Sequence, residues 1–179
     1  MSIFKENACL AAYFSRAGDH YIGEKFVDLP AGNTETVAKW IGGYTGAREF
    51  RIEPVTPYPI DLRKTAYMAQ RELYADARPK LAGHLDHMGE YAVVFLGFPI
   101  WWESLPMPAV SFLERYDFSN KTLIPFCTHE GSGFGQSEHI IRIHCPEAKL
   151  LPGLAVHASE VQTAQDQVLR WLKETEGLL

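Results

Sequence analysis

The chain has 179 residues, 46% hydrophobic and 22% charged, enough for one domain with a sizeable core. A net charge of −5 and a pI near 5.8 argue against nucleic acid as a partner, because phosphate-backbone binding needs a basic face. Cys9, Cys127 and Cys145 form no CxxC pair, and the N-terminal MSIFKENACLAAYF has neither a basic n-region nor a long apolar run; a disulfide framework, a signal peptide and a membrane span are not expected, and a reduced cytoplasmic setting is.

In chain order, Ala8–Phe14 is a continuous apolar run of strand length, and Asn33–Tyr44 carries Val37, Ile41 and Tyr44 at helical spacing. Residues 19–32 between them read as an inserted loop or a small hairpin. Glu49–Ile52 is a short strand, after which Pro54, Pro57 and Pro59 impose an extended connection. Asp61 to about Arg78 reads as a helix with Leu62, Ala66, Ala69 and Leu73 on one face. Tyr91–Gly97 is apolar throughout, as a strand covered on both faces must be. A helix over Pro106–Tyr116, a strand over Thr122–Cys127 and a helix over Gly135–His144 follow. Lys149–His157 is strand-like but broken by Pro152 and Gly153. Ser159–Thr175 is a terminal helix with Ser159 as its N-cap. The regular alternation predicts one α/β domain over 1–179, with a doubly wound parallel sheet and helices on both faces.

Ligands of such sheets bind at the carboxyl ends of the strands, where strand order reverses. Three turns therefore matter. The first joins Ser15 and Arg16 to Gly32, Asn33 and Thr34. The unpaired amides of a helix start favour an anion there, although an ordinary N-cap by Asn33 or Thr34 explains the same residues. The next is GFPIWWESLPMP, with Trp101 and Trp102 adjacent; at least one packs on the protein and the other is free to stack on a flat ligand. The last is PFCTHEGSGFGQS, whose Gly131, Gly133 and Gly135 permit close backbone approach.

The chain has no GxxxxGK[ST] and no GxGxxG after its first strand. Ser132 lacks the flanking glycines of a nucleophile elbow, and Gly133 stands where an HExxH motif needs its second histidine. Cys127 and His129 share a strand face with no orienting third group, so Cys127 reads as a buried inert thiol. Together the turns suit a ligand with a phosphate at one end and a wide planar ring at the other. Flavin mononucleotide (FMN) has that shape.

The motifs YFSR…GNT, GFPIWW…PMP and IPFCTHEGSGFG, in this order over about Leu10 to Leu172, resemble those of the flavodoxin family, in particular its bacterial members. The resemblance implies a five-stranded sheet of order 2-1-3-4-5 with FMN at the switch point. It implies that Ser15, Arg16, Gly32, Asn33 and Thr34 hold the phosphate. Pro99, Ile100, Trp101 and Trp102 would line one side of the isoalloxazine. Thr128, His129, Glu130, Gly131, Ser132 and Gly133 would run along the other, giving backbone hydrogen bonds to the ring edge. Two departures stand out: Ala17 or Ala31 replaces the usual hydroxyl residue before the glycine, and the 19–32 segment is extra. The function implied is an electron carrier between a reductase and an acceptor protein, with no catalytic acid or base and no metal. Glu130 would add negative charge that disfavours an anionic reduced flavin. The alternatives are an NAD(P)H-dependent FMN quinone reductase, in which His129 or Tyr58 donates a proton, and a flavin-free partner-binding domain.

Overall fold

The computed structural model describes residue 4 and residues 8–179; the remainder of the N-terminal stretch lies outside the described residues. Strand β1 (Cys9–Tyr13) is buried along its whole length. It pairs in parallel with β4 (Arg48–Arg51) on one side and β5 (Val93–Pro99) on the other. Strand β6 (Thr122–His129) pairs with β5, and the last position of the sheet is shared by β7 (Lys149–Leu150) and β8 (Leu154–His157). Counting β7 and β8 as one strand, the order is 2-1-3-4-5, all parallel. The break between them falls at Pro152–Gly153. A Cβ on Gly153 would sit 2.5 Å from the Pro125 carbonyl oxygen and from the Phe134 ring, so the chain passes there only without a side chain.

Strand alternation sorts the core into two layers. Ala11, Tyr13, Phe95, Ile124 and Phe126 face α1 (Asn33–Thr45) and α5 (Gln165–Glu176), which contribute Val37, Ile41, Val168 and Leu172. Phe4 joins this layer with its ring 5.4 Å from that of Phe95. Leu10, Ala12, Val94, Leu96 and Phe98 face α3 (Met107–Arg115) and α4 (Ser137–His144), with Val110, Phe112 and Ile141 opposite them. Helix α2 (Leu62–Tyr74) lies at the margin of this second layer, where only Thr65 and Ala69 are buried.

Some boundaries differ from expectation. Helix α2 ends at Tyr74 rather than near Arg78, because Ala75 caps it and Asp76 turns to positive φ. The terminal α-helix begins at Gln165, after a 3-10 segment over Ala158–Thr163, and Ser159 does not cap it: its hydroxyl bonds His157 Nδ1 instead. Between β1 and α1 the chain forms a hairpin. Strands β2 (Gly18–Ile22) and β3 (Lys25–Leu29) pair antiparallel around a two-residue turn at Gly23–Glu24, both with positive φ. The hairpin's base is tied down by a hydrogen bond from the Asp19 amide to the Ile60 carbonyl. No helix among the described residues is long and apolar enough to cross a membrane.

Candidate functional site

A cleft of about 220 Å³ opens at the carboxyl ends of β1, β5 and β6. This is where strand order reverses, since β4 lies on one side of β1 and β5 on the other. One end of the cleft is built by the turn after β1 and the start of α1, and the other by the turns after β5 and β6.

At the first end Gly32 precedes α1 and offers no side-chain cap. Ser15 supplies one from a distance: its Oγ accepts from the Glu35 amide at 3.1 Å. Neither Asn33 nor Thr34 caps the helix by its side chain. The Thr34 hydroxyl instead bonds that of Thr128 at 2.8 Å, joining the start of α1 to the end of β6. Asn33 and Thr34 both line the cleft, and first-turn amides have no acceptor within their own helix. Glu35 complements the helix dipole and is held by Lys39 and Arg51, each at 2.8 Å. The main chain passes so closely that a Cβ on Gly32 would lie 2.3 Å from both Ser15 Oγ and the Arg16 carbonyl oxygen.

Arg16 is buried, and no carboxylate lies within ion-pair distance of it among the described residues. Its guanidinium donates to the Pro59 and Ile60 carbonyls at 3.0 and 2.7 Å, and to that of Asp19. Burial lowers its pKa from the ordinary value, but an arginine remains charged at neutral pH. Arg16 thus clamps the hairpin to the Pro59–Ile60 segment and leaves a positive charge at this end of the cleft.

At the second end Trp101 lines the cleft, its ring edge-on to Phe14 and Tyr58 at centroid distances of 5.2 and 5.0 Å. Trp101 and Ser104 exchange backbone hydrogen bonds around Trp102 and Glu103, both with positive φ. Such left-handed non-glycine residues cost about 1 kcal/mol or more each and persist only where the surroundings enforce them. Here the enforcing contact comes from the glycine loop: the Gln136 amide donates to the Glu103 carbonyl at 2.7 Å. The tryptophan turn and the glycine loop are therefore one mechanical unit.

His129 shapes that loop. Its Nδ1 accepts from the amides of Gly131 and Gly133 at 2.9 and 3.2 Å, so the neutral ring carries its proton on Nε2. Burial, and then the neighbouring His157, lower its pKa. A folded pKa below the unfolded one means that the unfolded chain binds more protons under acid conditions, so stability is lost as pH falls below the ordinary histidine value of about 6.5. Acidifying from pH 7 to 5 should lower the melting midpoint, and His129→Gln should flatten part of that slope; an unchanged slope would show that the ring does not hold the loop.

Of the residues expected to form the site, Ser15, Arg16, Asn33, Thr34, Pro99, Ile100, Trp101, Thr128, His129 and Glu130 line this one cleft. Gly32 lies beneath it as a spacer. Trp102 is not among the residues that line this cleft: it is half exposed, and its Nε1 donates to the Ala66 carbonyl of α2 at 2.9 Å. Gly131, Ser132 and Gly133 do not reach the lining either, and the amides of Gly131 and Gly133 are spent on His129. Tyr58 is also absent from the lining; it backs Trp101 and gives its hydroxyl to Glu72. Cys127 is fully buried, and burial pushes its thiol up to about 12, which leaves it inert. Residues not anticipated are His20, Tyr21 and Ile22 of the hairpin, with Leu62 and Ala158. The aromatic Tyr21 beside a glycine turn was the available signal for the hairpin residues.

A family model described as Flavodoxin matches residues 26–175. No curated protein sequence matches the chain. Among solved structures, a candidate flavoprotein from Bacteroides eggerthii is similar with a TM-score of 0.73 at 26% identity, over 93% of this chain and 96% of that one. Another from Bacteroides uniformis has the same score and identity over 93% and 98%. A flavoprotein from Lactobacillus acidophilus in complex with FMN superposes with a TM-score of 0.63 at 17% identity, over 88% and 97%, a likeness of fold.

Proposed function

The chain belongs to the flavodoxin family, and on that premise we propose that it binds FMN in this cleft and serves as an electron carrier. The supporting observation is the pairing, in one cleft at the switch point, of a helix start with a buried arginine and a tryptophan wall. The amides of Asn33 and Thr34 and the charge of Arg16 would hold the phosphate, while Ser15 Oγ marks where an oxygen sits against the Glu35 amide. Trp101 with Pro99 and Ile100 would take one side of the ring, and Thr128 to Glu130 its edge. FMN supplies one- and two-electron transfer, and the protein's part is binding, orientation and electrostatics. Trp101 and the hairpin keep water from the ring, and Glu130 adds a negative charge at the rim. We read residues 1–179 as one domain with the hairpin as an insertion, and a reductase and an acceptor protein as its redox partners.

Coverage of the cleft by His20, Tyr21 and Ile22 favours a carrier over an enzyme that must admit nicotinamide. The test is to soak the purified protein in FMN, record its visible spectrum, and titrate with dithionite. Bound yellow FMN with quenched tryptophan emission is expected. A colourless protein would defeat the binding claim, and NADPH–quinone turnover well above the free-FMN background would defeat the carrier claim.

Arg16→Lys should weaken FMN binding roughly tenfold, because an ammonium keeps the charge but not the planar fork that grips three carbonyls. Faster hydrogen exchange at the hairpin amides should accompany it. Unchanged exchange would show that the hairpin does not depend on Arg16.

A further inference from the structure

The hairpin carries a group whose hydrogen-bonding role is fixed by its neighbours. His20 lines the cleft, and its Nδ1 lies 2.8 Å from the Gly18 carbonyl oxygen. A carbonyl only accepts, so this nitrogen carries the proton and Nε2 of the neutral ring is left as an acceptor. Burial, reinforced by Arg16, disfavours the charged form of this imidazole against the opposing pull of Gly18, Asp19 and Asp28. His129 lines the same cleft in the opposite tautomer, with Nδ1 accepting two amides and Nε2–H a donor. Two imidazoles of fixed and complementary polarity thus share one cleft.

An oxidised isoalloxazine has a single N–H, at N3, flanked by two carbonyls. That N–H needs an acceptor, which is what the neutral His20 ring presents at Nε2. Resting on the FMN reading above, we propose that His20 is a recognition residue for the cofactor, its Nε2 accepting from the N3–H of the ring. The hairpin is then a wall of the binding site rather than a surface ornament. Its attachment through Arg16 and the Asp19–Ile60 bond sets the reach of His20 into the cleft.

The test compares FMN with its N3-methyl analogue, which cannot donate at that position, by titration of flavin fluorescence. Unsubstituted protein should bind the analogue roughly tenfold more weakly than FMN. His20→Leu should bind FMN roughly tenfold more weakly and show no further loss with the analogue. His20→Gln, which places an acceptor oxygen near the same point, should recover most of the affinity. Nitrogen-15 imidazole spectra of the unsubstituted protein give a second readout without any variant: the His20 Nε2 signal should move on adding FMN and stay put with the analogue. If His20→Leu binds FMN as the parent does, or if methylation weakens parent and variant by the same factor, the assignment is wrong. If the parent protein binds no FMN at all, the cofactor reading falls and takes this one with it.

Discussion

Gly32→Ala should remove the preference for FMN over riboflavin. Gly32 has φ −69° and ψ 154°, a conformation any residue adopts, so the constraint is space and not backbone freedom. The added Cβ would meet Ser15 Oγ and the Arg16 carbonyl oxygen at 2.3 Å, and the Arg16 carbonyl carbon at 3.0 Å. Ser15 Oγ could rotate away, though that breaks its bond to the Glu35 amide; the Arg16 carbonyl is main chain and cannot. The turn after β1 and the start of α1 must separate, at a stability cost of about 1–3 kcal/mol. Folding survives, because α1 is held by Val37, Ala38 and Ile41 in the core. The proposed anion seat does not, because its amides and Arg16 stand on opposite sides of this contact. FMN affinity should fall roughly 100-fold, toward that of riboflavin, as about 3 kcal/mol of charge-assisted hydrogen bonding is lost. Titrating both flavins against parent and variant decides it: a variant that keeps the parental ratio of affinities would show that the phosphate sits elsewhere.

Much of this site was legible in the sequence because its parts are local. The continuous apolar runs at Ala8–Phe14 and Tyr91–Gly97 have the length and composition of strands covered on both faces, and both lie in the middle of the sheet. The alternation of strand and helix then placed the three turns at one edge. What stayed hidden were orientations that depend on distant partners. Nothing in WWE tells which tryptophan enters the cleft, because the choice is made by a two-residue turn of positive φ docked on Gln136, more than thirty residues downstream. Asn33 and Thr34 are good caps by type, yet the cap is Ser15, from before the hairpin. Arg16 looked free to reach solvent or a phosphate; its grip on Pro59, Ile60 and Asp19 is a long-range fact. The hairpin was unclear because its turn is Gly-Glu and not the Asn-Gly that usually marks such a turn.

Gly135→Ala should act at the other end of the cleft and leave the phosphate preference intact. Gly135 has φ +52°, where a side chain costs about 1 kcal/mol or more. Its Cβ would also lie 2.1 Å from the Glu103 carbonyl oxygen, 2.7 Å from that carbon and 3.1 Å from the Glu103 Cα. All three are backbone atoms, so no rotamer change relieves the clash. The tryptophan turn must lift off the glycine loop, and the Gln136–Glu103 hydrogen bond goes with it. Strain, overpacking and the lost bond together come to roughly 3 kcal/mol, or a fall in melting midpoint of roughly 6–12 °C for a chain of this size. Once free, Trp102 and Glu103 would leave their left-handed conformations, and Trp101 would no longer be pressed against Phe14 and Tyr58. The ring wall is then lost for any flavin, so FMN and riboflavin should weaken by the same factor, roughly tenfold or more. Because the Gly32 and Gly135 contacts share no partner, the two substitutions should combine additively in binding free energy. A Gly135→Ala protein that loses FMN but not riboflavin affinity would mean that the tryptophan turn supports the anion seat, contrary to the division of the cleft into a phosphate end and a ring end.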